Sequence, residues 1–278
     1  KIGIAGSFGK TTMREILKPV LSEGKKVAAP PHSYNTPLGI SQFVNTLQGD
    51  EDVLIFELGE YYPGDVRKLC GMVQPDIGII TGINEAHLEK FKTLDQTAAT
   101  IFELADYLGE KSTYVNGESE LVRKSARAGH VMYNGERAGD WKIGNKKTGL
   151  NGTSFTLTKN DMKLELNSLL LGLHQVGSLA ACADIALRLG LWPDLVKTGM
   201  GKTKPFEHRL EPKIDSAGVV TLDDSYNGNP DGVKAVIEFL VSLGGHRRFY
   251  VTPGLVEMGA RTEEVHKEII KKISDSGI

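Results

Sequence analysis

Short continuous apolar runs alternate with segments of helical period along the first part of the chain. Residues 2–5, Val53-Leu-Ile-Phe56 and Ile77-Gly-Ile-Ile-Thr81 are apolar without alternation, the pattern of strands covered on both faces. Thr113-Tyr-Val115 reads as a further strand. Between them, Ile16, Leu17, Val20 and Leu21 recur at helical spacing within 11–23, and Gly24 ends that helix; helices are predicted likewise over 40–47, 94–108 and around Leu121. Such alternation builds a parallel sheet. The period changes over 141–171, where Ser154-Phe-Thr-Leu-Thr158 and Met162-Lys-Leu-Glu-Leu166 alternate, with Gly, Asn and Asp between them, as antiparallel hairpins do. Helical spacing returns over 176–189 at Leu179, Ala183, Ala186 and Leu187, and Pro193 opens a short helix. The glycine- and lysine-rich stretch 199–205 reads as a hinge. Beyond it, strands at 219–222 and 249–252 with helices over 233–243 and 262–273 make a second β-α-β-α series.

The predicted fold class is α/β: a central parallel sheet headed by a phosphate-binding loop (P-loop), an added antiparallel β layer, and a smaller C-terminal unit. The expected domains are 1–207 and 208–278. The last series is only about 65 residues, marginal for an independent core, so the C-terminal unit is expected to be incomplete.

Candidate chemistry concentrates where the first strand breaks. Gly6-Ser-Phe-Gly-Lys-Thr-Thr12 follows an apolar run and opens a helix. Gly6 and Gly9 let the backbone of Ser7 and Phe8 curl so that successive N–H groups face one anion, beside the positive end of the helix. Lys10 would reach the outer phosphates, and Thr11 or Thr12 would hold a magnesium ion. Ile4 stands where the strict G-x-x-x-x-G-K-[ST] pattern has its first glycine, so this is the shorter form G-x-x-G-K-T-T. The bland alternative is an ordinary turn with a solvated lysine, and the strand-to-helix context weighs against it. Ligands in open α/β sheets bind outside the carboxyl ends of the strands. There 53–56 delivers Glu57, and 77–81 delivers the loop with His87.

Charge and cysteine content narrow the classes. The 33 Lys and Arg against 35 Asp and Glu give a net charge of -2, which argues against a general nucleic-acid or membrane-surface binder. Cys70 and Cys182 are far apart, each in an apolar helical pattern, and read as buried free thiols of a cytoplasmic protein. No secretory or membrane-spanning run is present, so a soluble chain is expected. Because the loop begins at residue six, a preceding part of the protein is expected as well.

The motifs in order carry a family resemblance: Gly6-Ser-Phe-Gly-Lys-Thr-Thr12, Ser33-Tyr-Asn-Thr-Pro-Leu-Gly39, Glu57-Leu-Gly59, Ala86-His-Leu-Glu89, Gly172-Leu-His174, His208-Arg-Leu-Glu211 and Asp223-Asp-Ser-Tyr-Asn227. The set resembles the Mur ligases across nearly the whole chain. The resemblance implies a central ATP-binding domain, a Rossmann-like C-terminal domain that closes on it, and an N-terminal UDP-sugar domain that this sequence lacks. It implies an ATP- and magnesium-dependent amide ligase, which turns a UDP-muramyl-peptide carboxylate into an acyl phosphate for attack by an amino acid or dipeptide amine. Partners would be those small substrates, with no nucleic acid and no membrane, and the enzyme would act as a monomer.

By the same resemblance Thr11 and Glu57 are magnesium ligands and His87 holds a second magnesium. Arg209 reaches the nucleotide phosphates, Asp224 meets the ribose, and Ser178 lies at the adenine. Tyr34, Asn35 and Thr36 would face the UDP-substrate, with a plain turn as the alternative. Four positions depart from the family pattern. Ile101 stands where many members carry a carbamylated lysine, leaving Glu103 as a substitute or a loosely held metal. Gln175 and Ser178 replace two adenine-site asparagines, and Gly82 replaces another. These departures leave open a ligase of another carboxylate and amine, or an ATP-binding regulatory domain without ligation.

Overall fold

The computed structural model describes residues 1–31, 34–84, 91–109, 112–226, 228–256 and 258–278. Strands β1 (Ile2–Ala5), β2 (Val27–Ala28), β3 (Val53–Glu57), β4 (Ile77–Ile80), β5 (Thr113–Asn116) and β6 (Val131–Tyr133) pair in parallel in the order β6-β5-β4-β1-β3-β2. β1 thus lies between β4 and β3, with all four residues buried. A strand in that position has a core on each side, which explains its unbroken apolar sequence.

On one face Ile2 and Ile4 join Met13, Ile16, Leu17, Val20 and Leu21 of α1 (Lys10–Leu21) and the buried side of α6 (Val176–Arg188). On the other, Ala5 meets Ile40 and Phe43 of α2 (Pro37–Val44). The same core takes Val66 and Leu69 of α3 (Asp65–Val73) and Ile101 and Leu104 of α4 (Leu94–Leu108). Helix α5 (Glu120–Ser125) follows β5, and α7 (Pro193–Lys202) packs on α1. Cys70 and Cys182 are free and buried, as expected. Burial pushes the Cys70 thiol up to about 12.

The expected antiparallel strands are present, added at the edge of the parallel sheet. β7 (Arg137–Ala138), β8 (Trp141–Gly149), β9 (Gly152–Lys159) and β10 (Met162–Ser168) extend the same sheet from the edge of β6, giving ten strands. The cause is edge pairing: Tyr133 pairs with Ala138, so the hairpins continue the ladder instead of stacking on it.

In the C-terminal part, β12 (Val220–Asp223) pairs antiparallel with β11 (Glu211–Ile214). Helices α8 (Pro230–Ser242) and α9 (Thr262–Asp275) share a small core of Val233, Ile237, Leu255, Met258, Val265 and Ile269. The strand expected over 249–252 is absent: Phe249 is 71% and Val251 92% exposed, and apolar residues with neither a pairing edge nor a covered face gain nothing from extended structure. A second cluster, Leu171 with Leu210, Val236 and Phe239, ties this part to the end of the large sheet.

Candidate functional site

β1 delivers the chain into the turn 6–9, and local sterics require both of its glycines. Gly6 has φ 145°, and a Cβ there would lie 2.3 Å from the Thr81 hydroxyl. Gly9, at φ 82°, is the residue before α1. The turn is anchored on the end of β4: Ser7 N–H donates to Gly82 O at 2.8 Å, and the Thr81 hydroxyl donates to the carbonyls of Ala5 and Phe8. No acidic side chain occupies the first turn of α1, so its positive end is left for a ligand. The buried Ser7 hydroxyl has no hydrogen-bond partner among the described residues.

Two ion pairs stand beside the loop. Lys10 Nζ donates to Gly6 O and to both carboxylate oxygens of Glu60, at 3.0 and 3.1 Å. Arg14 pairs with Glu57 at 2.8 Å, and the Thr11 hydroxyl donates to the other Glu57 oxygen at 3.2 Å. Burial pushes the Glu57 carboxyl up, against the pull of Arg14, Lys10 and Thr11. Thr11 and Glu57 therefore present two oxygen donors side by side, a set that fits a magnesium ion completed by water and phosphate oxygens. Among the described residues no group of three or more His, Cys, Asp and Glu side chains could hold a metal by itself. His87 lies outside the described residues.

A cavity of about 530 Å³ opens from the loop. Phe8, Gly9, Thr12 and Ser178 line it from the large-sheet part, and Arg209, Asp224 and Tyr226 from the C-terminal part. Arg209 is fixed by its surroundings. The flanking residues His208 and Leu210 are left-handed at φ 60° and 45°, an arrangement that non-glycine residues hold only when neighbours over-determine it. Those neighbours are a backbone bridge from Phe206, the Tyr226 ring 4.9 Å from the guanidinium, and Asp224 Oδ1, which accepts from Leu210 N at 3.1 Å. Burial pushes the Arg209 guanidinium down, opposed by Asp224, Tyr226 and Glu57, so the charges of the two sides feel each other. Burial also pushes the Asp224 carboxyl up.

The departing positions have structural explanations. Ile101 is fully buried in the apolar core beside Ala98 and Phe102, where no metal ligand is called for. Glu103 does not substitute for a lysine ligand: its carboxylate accepts from Gly64 N and Arg67 N at 2.9 Å each and caps α3. Gly82 makes room for Phe8, since a Cβ at residue 82 would lie 2.3 Å from the Phe8 ring. Gln175 is turned to His174, with the amide and ring nitrogens 2.9 Å apart. Thr36 caps α2 by accepting from Gly39 N at 3.3 Å, and Asn35 O accepts from Gly59 N, which is the behaviour of a turn. Sequence reasoning missed Glu60 and Arg14. Their signal was weak: an acidic residue three positions past Glu57, and an arginine on the α1 face that otherwise reads as core.

A parallel sheet whose central strand runs through a glycine turn into a helix capped only by backbone defines a P-loop-type α/β protein. The model of the Mur ligase middle domain matches residues 4–186, and the chain belongs to the Mur ligase family. It is 28% identical over 288 residues to the UDP-N-acetylmuramoyl-tripeptide–D-alanyl-D-alanine ligase of Borreliella burgdorferi, covering 98% of this chain and 59% of that protein. It is 30% identical to the Mycobacterium bovis protein of the same name, covering 96% and 55%. Among solved structures it superposes on the MurF ligase of Thermotoga maritima in complex with ADP with a TM-score of 0.81, at 25% identity, over 98% of this chain and 64% of that one. MurF of Acinetobacter baumannii shares the fold with a TM-score of 0.84 at 22% identity, over 99% and 61%. The chain thus spans under two thirds of the length of these relatives.

Proposed function

We propose that this chain carries the nucleotide-activating part of an ATP-dependent carboxylate–amine ligase that joins D-alanyl-D-alanine to a UDP-muramyl-tripeptide. The observation that carries the reading is one cavity with the glycine loop at the head of α1 on one side and Arg209 with Asp224 on the other. The relatives named as ligases of that dipeptide support the substrate pair, and a neighbour solved in complex with ADP supports the nucleotide.

A carboxylate is a poor acyl donor, and the chemistry needs it converted to an acyl phosphate, with negative charge crowding the transferred group. The backbone N–H groups of 6–9 and the start of α1 would hold the inner phosphates, Lys10 the outer ones, and Arg209 would close from the opposite side on the transferring group. Magnesium, held by Thr11 and Glu57, would supply further charge neutralisation. Asp224 would accept from the ribose hydroxyls, and Ser178 would line the base end. The two parts, 1–207 and 208–278, act as facing halves of one site, working as a cytoplasmic monomer. Ile101 in the core and Glu103, whose carboxylate caps α3, favour one variation, in which a second metal is held without a lysine-derived ligand.

The test is inorganic phosphate release from ATP and magnesium with UDP-muramyl-tripeptide and D-alanyl-D-alanine. Release that needs both substrates is the expected result. Release indifferent to either one sinks the ligase reading, and release with another amine in place of the dipeptide moves the chain to a different amide ligase.

A further inference from the structure

We propose that Glu60 is a resident counter-ion on the loop lysine that makes nucleotide binding depend on an accompanying divalent cation. The inference rests on the nucleotide reading above and concerns a residue that neither the loop motif nor the expected metal set contains.

Each cation beside the loop already has a carboxylate: Lys10 is matched by Glu60, and Arg14 by Glu57. An ammonium has three N–H donors, and all three of Lys10 are engaged, by Gly6 O and the two oxygens of Glu60. Glu60 is 2% exposed, so water cannot take over its negative charge when Lys10 turns elsewhere. A free triphosphate entering this neutralised corner must draw Lys10 off a buried carboxylate and also meets the negative charges of Glu57 and Glu60. A nucleotide that brings a divalent cation restores the balance, because the cation answers the carboxylates while Lys10 answers the phosphates. Glu60 thereby selects the metal–nucleotide complex over the bare anion. A purely structural ion pair would instead set the stability of the chain and leave that selection untouched.

The experiment is calorimetric titration of ATP into the chain with magnesium and, separately, with a chelator. The wild type should bind free ATP far more weakly than magnesium–ATP. Glu60→Gln should tighten free-ATP binding and narrow that ratio by about tenfold, the scale set by removing one unit charge a few Å from a phosphate. Equal affinity of the wild type for the two forms, or an unchanged ratio in Glu60→Gln, overturns the proposal and leaves the nucleotide reading standing. A wild type that binds neither form overturns the nucleotide reading itself. Should Glu60→Gln fail to fold, Glu60→Asp, which draws the charge back by one methylene, serves in its place; the proposal expects a shifted ratio and is overturned by a wild-type one.

Discussion

The two sides of the cleft are built by different means. The loop side stands on β1, buried between β4 and β3 with a core on each face, and its glycine turn is pinned to the end of β4 by Ser7 and Thr81. The Arg209 side stands on a two-stranded sheet and a turn with two left-handed residues, held by a ring, one carboxylate and a small apolar cluster. The fold as a whole fixes the first side, and a few local contacts fix the second. A buried parallel strand gives a phosphate loop no freedom to adapt, whereas a strained turn on a small sheet can be tuned residue by residue.

Substitutions on either side of the cleft probe this contrast. Lys10→Ala should lower substrate-dependent phosphate release by about 10²–10³-fold, the size of losing one preorganised group that meets transition-state charge. Turnover near wild type would remove the loop from the chemistry. Arg209→Ala should cost about 10–100-fold in the same assay, as expected for one charge-assisted hydrogen-bonding group. Arg209→Lys should not restore it, because a compact ammonium neither stacks on Tyr226 nor spans two oxygens. Gly82→Ala should destabilise the chain by about 1–3 kcal/mol in urea unfolding by driving a methyl into Phe8, and a further Phe8→Ala change should relieve it. An additive double variant would show that the ring does not occupy that space. His208→Gly is the smallest change: it should alter stability by no more than about 1 kcal/mol, since relief of the left-handed backbone offsets the loss of its contact with Asp223. A larger loss would mean that the turn is not strained.

The loop side was legible in the sequence because each of its causes is local. An apolar run, two glycines, a lysine and a helical period sit within 21 residues and admit one arrangement. Helix α4 was read at its observed bounds for the same reason, with Thr93 capping it by accepting from Gln96 N. Helix α3 shows in the sequence only as an apolar helical pattern around Cys70, without bounds, although Val66, Leu69, Cys70 and Val73 lie at helical spacing. Its start is fixed by Gly64 and by Glu103, 39 residues away, which no local pattern shows. The hairpins of 141–171 were recognised, but their joining to the parallel sheet depends on the Tyr133–Ala138 pair, and alternation says which face is buried, not which edge is used. At 249–252 hydrophobicity alone suggested a strand that has no partner among the described residues. Glu60 was invisible because a glutamate in a loop reads as solvated until a half-buried lysine is found against it.

If both sides of the cleft grip one nucleotide, calorimetry of magnesium–ATP binding to the wild type, Lys10→Ala, Arg209→Ala and the double variant will show it. The structure predicts one site per chain, weakened by either change and weakened further by both. A wild type without that site, or an Arg209→Ala variant that binds magnesium–ATP as tightly as the wild type, would contradict it.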